Sequence, residues 1–157
     1  MEHEGKVLLA RRAIEPCVGK WGLPAGYMEV GESTAGGAAR ETLEEAGAAV
    51  DIVAPFAHVD IPVIGQTYVI YRARLAPGAT VRAGPETQEV GLFDPGAFPE
   101  EDLAFSSTAL CLQWYCEDVR AGTFHVHHAT IEKRGPLGGG PGTFEVTSHM
   151  RAVPVPP

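Results

Sequence analysis

Residues 26–48 read GYMEVGESTAGGAARETLEEAGA. Five carboxylates (Glu29, Glu32, Glu41, Glu44 and Glu45) and a single base, Arg40, fall within this stretch. Ser33–Ala46 reads as a helix, on which Glu41 and Glu45 stack on one face with Glu44 beside both. Each like-charge pair at that spacing costs about 0.2–0.5 kcal/mol on an exposed helix. A hard divalent cation reverses the sign, and Mg²⁺ prefers oxygen ligands. The other face carries Ala35, Ala39, Thr42 and Ala46, small enough for the helix to lie close against a sheet. Gly36 and Gly37 each weaken the helix by about 1 kcal/mol relative to alanine. Packing and metal are therefore expected to hold it. Arg40 can pair with Glu44 or reach back to Glu32, and Gly26 lets the backbone approach a ligand.

The whole chain has 157 residues, enough for one domain with a core. Its net charge of −8 argues against binding a nucleic-acid backbone. An anionic substrate would then need a cation to bring it to the acidic helix. No apolar run approaches the roughly 20 residues of a membrane span. Cys17, Cys111 and Cys116 form no CxxC pair, which excludes a zinc ribbon and fits free thiols in a reducing compartment. The opening MEHEGKVLLARRA reads as neither a signal nor a transit peptide.

Outward from the helix, Val7–Arg11 reads as a strand and Glu15–Gly26 as a loop around Trp21. Val50–Asp60 and Gln66–Leu75 read as strands joined by a turn at Pro62 and Gly65. Glu89–Phe93 reads as a short strand. Ser106–Ala121 reads as a helix capped by Ser106 or Ser107, with Leu110, Trp114, Cys111 and Val119 inward. Phe124–Ile131 reads as a last strand. It includes FHVHH, where His125 and His127 would share a face as a metal-like pair with no third ligand in view. Strands interspersed with two helices indicate an α/β or α+β fold. GPLGGGPG at 135–142 is too rich in glycine and proline to bury side chains. The domain is thus expected over 1–134, with a flexible linker and tail over 135–157.

A bare E-x-x-E-E is more often a solvated helix face. Here the full spacing is Gly26, five residues, Glu32, seven residues, Arg40-Glu41, then Glu44-Glu45 and Gly47. It resembles the Nudix box, apart from Thr42 and Ala48, which stand where that family has larger aliphatics. Beyond the box, RRAIEP, KWGLPAGYMEVGES, PFAHVDIPVIGQTYVIY, GPETQEV and LAFSS resemble the plant and algal Nudix hydrolases that cleave FAD and ADP-ribose.

That resemblance implies a mixed β-sheet between helices. Only five residues precede Lys6, so the expectation is either a fragment of a longer chain or a sheet that lacks part of its first strand. It also implies Mg²⁺-dependent hydrolysis (Mn²⁺ being compatible) of a dinucleotide pyrophosphate: FAD to FMN and AMP, ADP-ribose to AMP and ribose 5-phosphate. NADH and nucleotide sugars are alternative substrates. A non-catalytic nucleotide-binding module is the alternative from another class, set against the presence of every box carboxylate. Carried over by residue, Glu41, Glu44 and Glu45 are metal ligands together with the carbonyl of Ala25 or Gly26. Glu32, Arg40 and Gly26 brace the box. Glu89, or alternatively Glu86, completes the site. Glu44, Glu86 and Glu89 are the candidate general bases, with Glu45 also catalytic. Trp21, Phe56, Tyr68 and Phe105 are candidate ring platforms, and Arg12 or Arg72 a phosphate contact. A homodimer and a plastid location follow from the resemblance, with the cytoplasm as the other setting; no membrane partner is expected.

Overall fold

The computed structural model describes residues 1–133 and 144–152. Its strands are β1 (Glu2–His3), β2 (Lys6–Arg12), β3 (Trp21–Gly22), β4 (Val50–Ile61), β5 (Gln66–Leu75), β6 (Thr87–Phe93), β7 (His127–Lys133) and β8 (Phe144–Arg151). The helices are α1 (Thr34–Ala46) and α2 (Ser106–Ala121). The strand pairs are both parallel and antiparallel, so the expected mixed α+β architecture is present. The chain forms two units, Met1–Val53 with Tyr71–Asp102, and Ala54–Ile70 with the described residues from Leu103 onward.

In the first unit β2 is central. Val7, Leu8, Leu9 and Ala10 are all buried, the mark of a strand covered on both faces. β2 pairs antiparallel with β1, β3 and β6. The expected gap before Lys6 is partly filled, because β1 also runs parallel to the end of β5, Glu2 opposite Arg74. The Glu2 carboxylate accepts from Nε and Nη2 of the buried Arg72 at 2.6 and 3.2 Å, which gives Arg72 a structural role. Helix α1 starts at Ser33, whose hydroxyl accepts from Gly36 N at 3.1 Å. Thr42 and Ala46 are buried, as the small-residue stripe requires. Ala46 and Ala48 join Leu8 in the core, where Val50, Leu75 and Val90 pack.

In the second unit β4 pairs parallel with β7, and β7 pairs antiparallel with β8. Helix α2 buries Cys111, Leu112, Trp114, Tyr115 and Cys116. Two expectations about α2 are corrected. Its N-cap is Phe105, with no side-chain hydrogen bond, and Val119 is exposed. The tail expectation is also corrected within the described residues. Residues 134–143 and 153–157 lie outside them, but Phe144–Arg151 is a strand paired with β7, its register shifting by one residue between Thr130 and Ile131. Phe144, Val146 and Thr147 favour a strand, and β8 is anchored by His149. Its Nε2 lies 3.0 Å from His127 Nδ1, and its ring stacks on Trp114 at 4.4 Å.

His127 is fully buried, and its Nε2 lies 3.0 Å from Asp118 Oδ2. Asp118 Oδ1 meets His125 Nδ1 at 2.8 Å, and Oδ2 also accepts from His125 N at 2.9 Å. One tautomer set satisfies the chain: His149 donates to His127, and His127 donates to Asp118. Protonating His127 would turn Nδ1 into a donor and force His149 to the tautomer that accepts at Nε2. Burial lowers the pKa of both His127 and His149, so the fold favours their neutral forms. The unfolded chain takes up protons more readily, and stability falls as pH drops through the ordinary histidine value of 6.5. Followed in saturating Mg²⁺, Tm should fall with acid between about pH 7.5 and 5.5, and fall less in His149→Phe. An equal slope in both proteins would contradict this role for the pair.

Candidate active site

The box loop and α1 are held by Arg40. Its Nη2 and Nε reach the two oxygens of Glu32 at 2.9 and 3.2 Å. Nη1 donates to Glu41 Oε1 at 2.8 Å and to Glu44 Oε2 at 3.2 Å, and Nη2 also donates to Tyr27 O at 2.9 Å. Glu32 Oε1 in turn accepts from Glu29 N at 2.6 Å. These bonds raise the Arg40 pKa, and those from Arg40 and Glu29 N lower that of Glu32, so both stay charged. A Cβ on Gly37 would stand 2.9 Å from Glu32 Oε1, so glycine is retained for this brace. One on Gly26 would fall onto the Glu41 carboxylate. Gly26 is thus the position at which loop backbone and metal-type carboxylate touch.

Glu45 faces a different set. Burial raises its pKa to about 7, as do the charges of Glu41 and Glu86, against the opposing pull of the Ala25 backbone and Arg12. Glu86 reaches it through the end of α1. The helix leaves carbonyls without internal partners there. Arg82 N donates to Ala46 O and Gly84 N to Glu45 O, both at 2.9 Å. A Cβ on Gly84 would fall onto the Glu44 carbonyl oxygen, so only glycine lets this loop close on the helix. Glu41, Glu45 and Glu86 thus crowd one point, where Arg40 on Glu41 and Arg12 and the Ala25 N–H on Glu45 offset only part of the repulsion. A divalent cation fits that donor set, since hard oxygen donors suit it and its charge removes the repulsion.

The profile of the NUDIX domain matches residues 1–114. The chain belongs to the NUDIX hydrolase family. A NUDIX hydrolase from Nitrosomonas europaea is 44% identical, at a TM-score of 0.77, over 84% of this chain and 74% of that one. An ADP-ribose pyrophosphatase from Streptococcus suis is 27% identical, at a TM-score of 0.56, over 80% and 90%. A C. elegans Ap4A hydrolase at 18% identity, covering 74% of this chain and 88% of that one, shares the fold at a TM-score of 0.59. No curated protein matches the chain.

Within this NUDIX site the expected residues divide. Glu41, Glu45 and Gly26 come together, and Ala25 meets Glu45 through its backbone N–H. Glu44 is the most exposed of the box acids around Arg40, which it meets at 3.2 Å. Glu89 lies on β6 opposite Arg11, with its carboxylate 3.7 Å from that guanidinium. Glu86 joins Glu41 in raising the Glu45 pKa. Arg12 acts on Glu45 too, while its Nε donates to Pro16 O at 2.7 Å.

Of the ring candidates, Trp21 is half-buried and edge-on to Phe93 at 5.1 Å. Phe56 is core, edge-on to Tyr115 and His127, which corrects its reading as a platform. Tyr68 is half-buried, with its hydroxyl on Gln66, and Phe105 serves as the α2 N-cap. Three residues escaped the sequence reading. Tyr27 and Met28 are exposed on the box loop, and Tyr71 Oη shares a 2.6 Å hydrogen bond with Thr34 Oγ1. Nothing in the pattern marked them, because exposure and hydrogen bonds between residues far apart in sequence leave no periodic trace.

Two outcomes check this geometry. The metal-free fold prefers protonated Glu45, so stability should fall as pH rises from its ordinary 4.5 through about 7. Added Mg²⁺ should abolish that loss. NMR titration of the Glu45 carboxyl reads it directly, and a midpoint that stays near 4.5 without metal contradicts it. Separately, Gly84→Ala should push the loop from α1 and cut kcat by at least about tenfold, with the chain still folded by circular dichroism.

Proposed function

We propose that this NUDIX hydrolase uses Mg²⁺ to split the pyrophosphate of a nucleoside diphosphate linked to a second moiety, with ADP-ribose and FAD as substrates. The observation that carries the reading is the crowding of Glu41, Glu45 and Glu86, with Glu45 pushed up to about 7 against the opposing pull of Arg12. ADP-ribose is supported by the Streptococcus suis structure, named as an ADP-ribose pyrophosphatase. FAD is supported by the resemblance that extends past the box.

Glu41 and Glu45, with the Ala25 carbonyl and Glu86, would hold the Mg²⁺. When bound, the ion screens the diphosphate and lowers the pKa of a coordinated water. Arg40 keeps Glu41 in place through Nη1, so the ligand oxygens need no rearrangement on binding. Glu86 is exposed and lies beside Glu45, which suits its carboxylate to take the proton of the attacking water. The water oxygen bonds to one phosphorus, the bond from that phosphorus to the bridging oxygen breaks, and AMP leaves with the other phosphate product. Glu44, tied to Arg40, orients the box rather than the water.

Incubation with Mg²⁺ and a panel of ADP-ribose, FAD, NADH, Ap4A and a UDP-sugar, read by chromatography, tests the substrate class. AMP should appear from ADP-ribose, and FMN from FAD. Turnover confined to Ap4A or the UDP-sugar would overturn the assignment. Glu86→Gln should lower kcat by about 10²–10⁴ with KM little changed. Glu89→Gln, which loses only the partner of Arg11, should stay close to wild type. The reverse ranking returns the base to Glu89.

A further inference from the structure

The second unit carries a cluster that pyrophosphate hydrolysis does not use. β4 and β7 run parallel, with His58 opposite His128 and Asp60 opposite Thr130. His58 and Asp60 are two apart on one strand and so share a face. The His58 and His128 rings lie 4.9 Å apart, and His128 Nε2 is 3.0 Å from Asp60 Oδ2. One donor atom from each of the three residues falls within 4.8 Å of the others. His58 is exposed and its two companions are partly so, which leaves the cluster open to ions from solvent. Thr67 Oγ1 donates to Asp60 Oδ1 at 2.7 Å and leaves Oδ2 turned to His128. Outer partners of this kind aim a ligand carboxylate. Hydrogen bonds from Thr67 and His128 also hold the Asp60 carboxyl below its ordinary pKa, so it is ionised.

We propose that His58, Asp60 and His128 form a second metal site on the β4–β7 face, which takes one borderline divalent transition ion, Zn²⁺ before others. Two imidazole nitrogens and one carboxylate oxygen suit Zn²⁺, Co²⁺ or Ni²⁺, whereas Mg²⁺ keeps to oxygen and water. Three protein ligands leave an outward position for water. Binding opens the Asp60–His128 hydrogen bond and turns two surface rings, while the paired strands hold their backbones in place. The other histidine cluster, Asp118 with His125 and His127, is a weaker candidate. Asp118 and His127 are sealed from solvent, and both Asp118 oxygens already carry hydrogen bonds.

The metal-stripped full chain, held in excess Mg²⁺, is titrated with ZnCl₂ by calorimetry while imidazole resonances are followed by NMR. One equivalent should bind, and the His58 and His128 resonances should shift. Thr67→Val should weaken binding by about 10- to 100-fold. His58→Ala and His128→Ala should weaken it further, and His125→Ala should leave it unchanged. Both lost histidines lie at the surface, and the wild-type resonances give the answer without any substitution. Absence of saturable binding overturns the proposal. So does binding that survives His128→Ala, or Zn²⁺ that leaves the His58 and His128 resonances unmoved.

Discussion

The Arg40 guanidinium donates to Glu32, Glu41, Glu44 and the Tyr27 carbonyl at once. An arginine suits this position because its donors are fixed in a plane and cannot swing apart as a lysine's would. Through it the loop before α1 is tied to the helix, and Glu41 is fixed where it touches Gly26. Neither glycine nor carboxylate is free to move without the other. The cost of two glycines in and beside the helix is offset by that closeness, since a side chain at Gly37 or Gly26 would displace an acid that Arg40 holds.

What Arg40 does not neutralise is equally informative. Glu45 feels the charges of both Glu41 and Glu86, so charge accumulates where water is partly excluded. Acids pressed together without a cation are unstable unless one is protonated or an ion arrives. The loop that closes on α1 through Arg82 N and Gly84 N adds to the repulsion by bringing Glu86 in. A stability-driven arrangement would keep these acids apart. The fold instead uses backbone hydrogen bonds at a helix end to assemble them, which makes sense for a site built to receive a divalent ion and a diphosphate.

The helix and its acids were legible because they depend on offsets along one element: Glu41, Glu44 and Glu45 can only gather if Arg40 and Gly26 keep their spacing. Glu86 was not separable from Glu89 in sequence, because its approach depends on a loop capping α1 through backbone atoms, which carry no side-chain signature. Phe56 misled as a platform because an aromatic on a strand looks the same whether it faces a ring ligand or His127. Strand β8 was hidden by the glycine-rich run before it, although His149 meets His127 and Trp114 once the chain returns. The third partner of His125 and His127 was invisible for a similar reason: Asp118 sits on α2, several residues before them, among residues that read as a helix face.

The account rests on a cation held by Glu41 and Glu45 under the control of Arg40. A crystal of the chain grown with Mn²⁺ and a non-hydrolysable ADP-ribose analogue tests this most directly, since anomalous scattering locates the ion without assumption. The ion should lie within bonding distance of the Glu41 and Glu45 carboxylates and of the analogue's diphosphate. Manganese bound elsewhere, or a diphosphate seated away from α1 with those carboxylates empty, would contradict it.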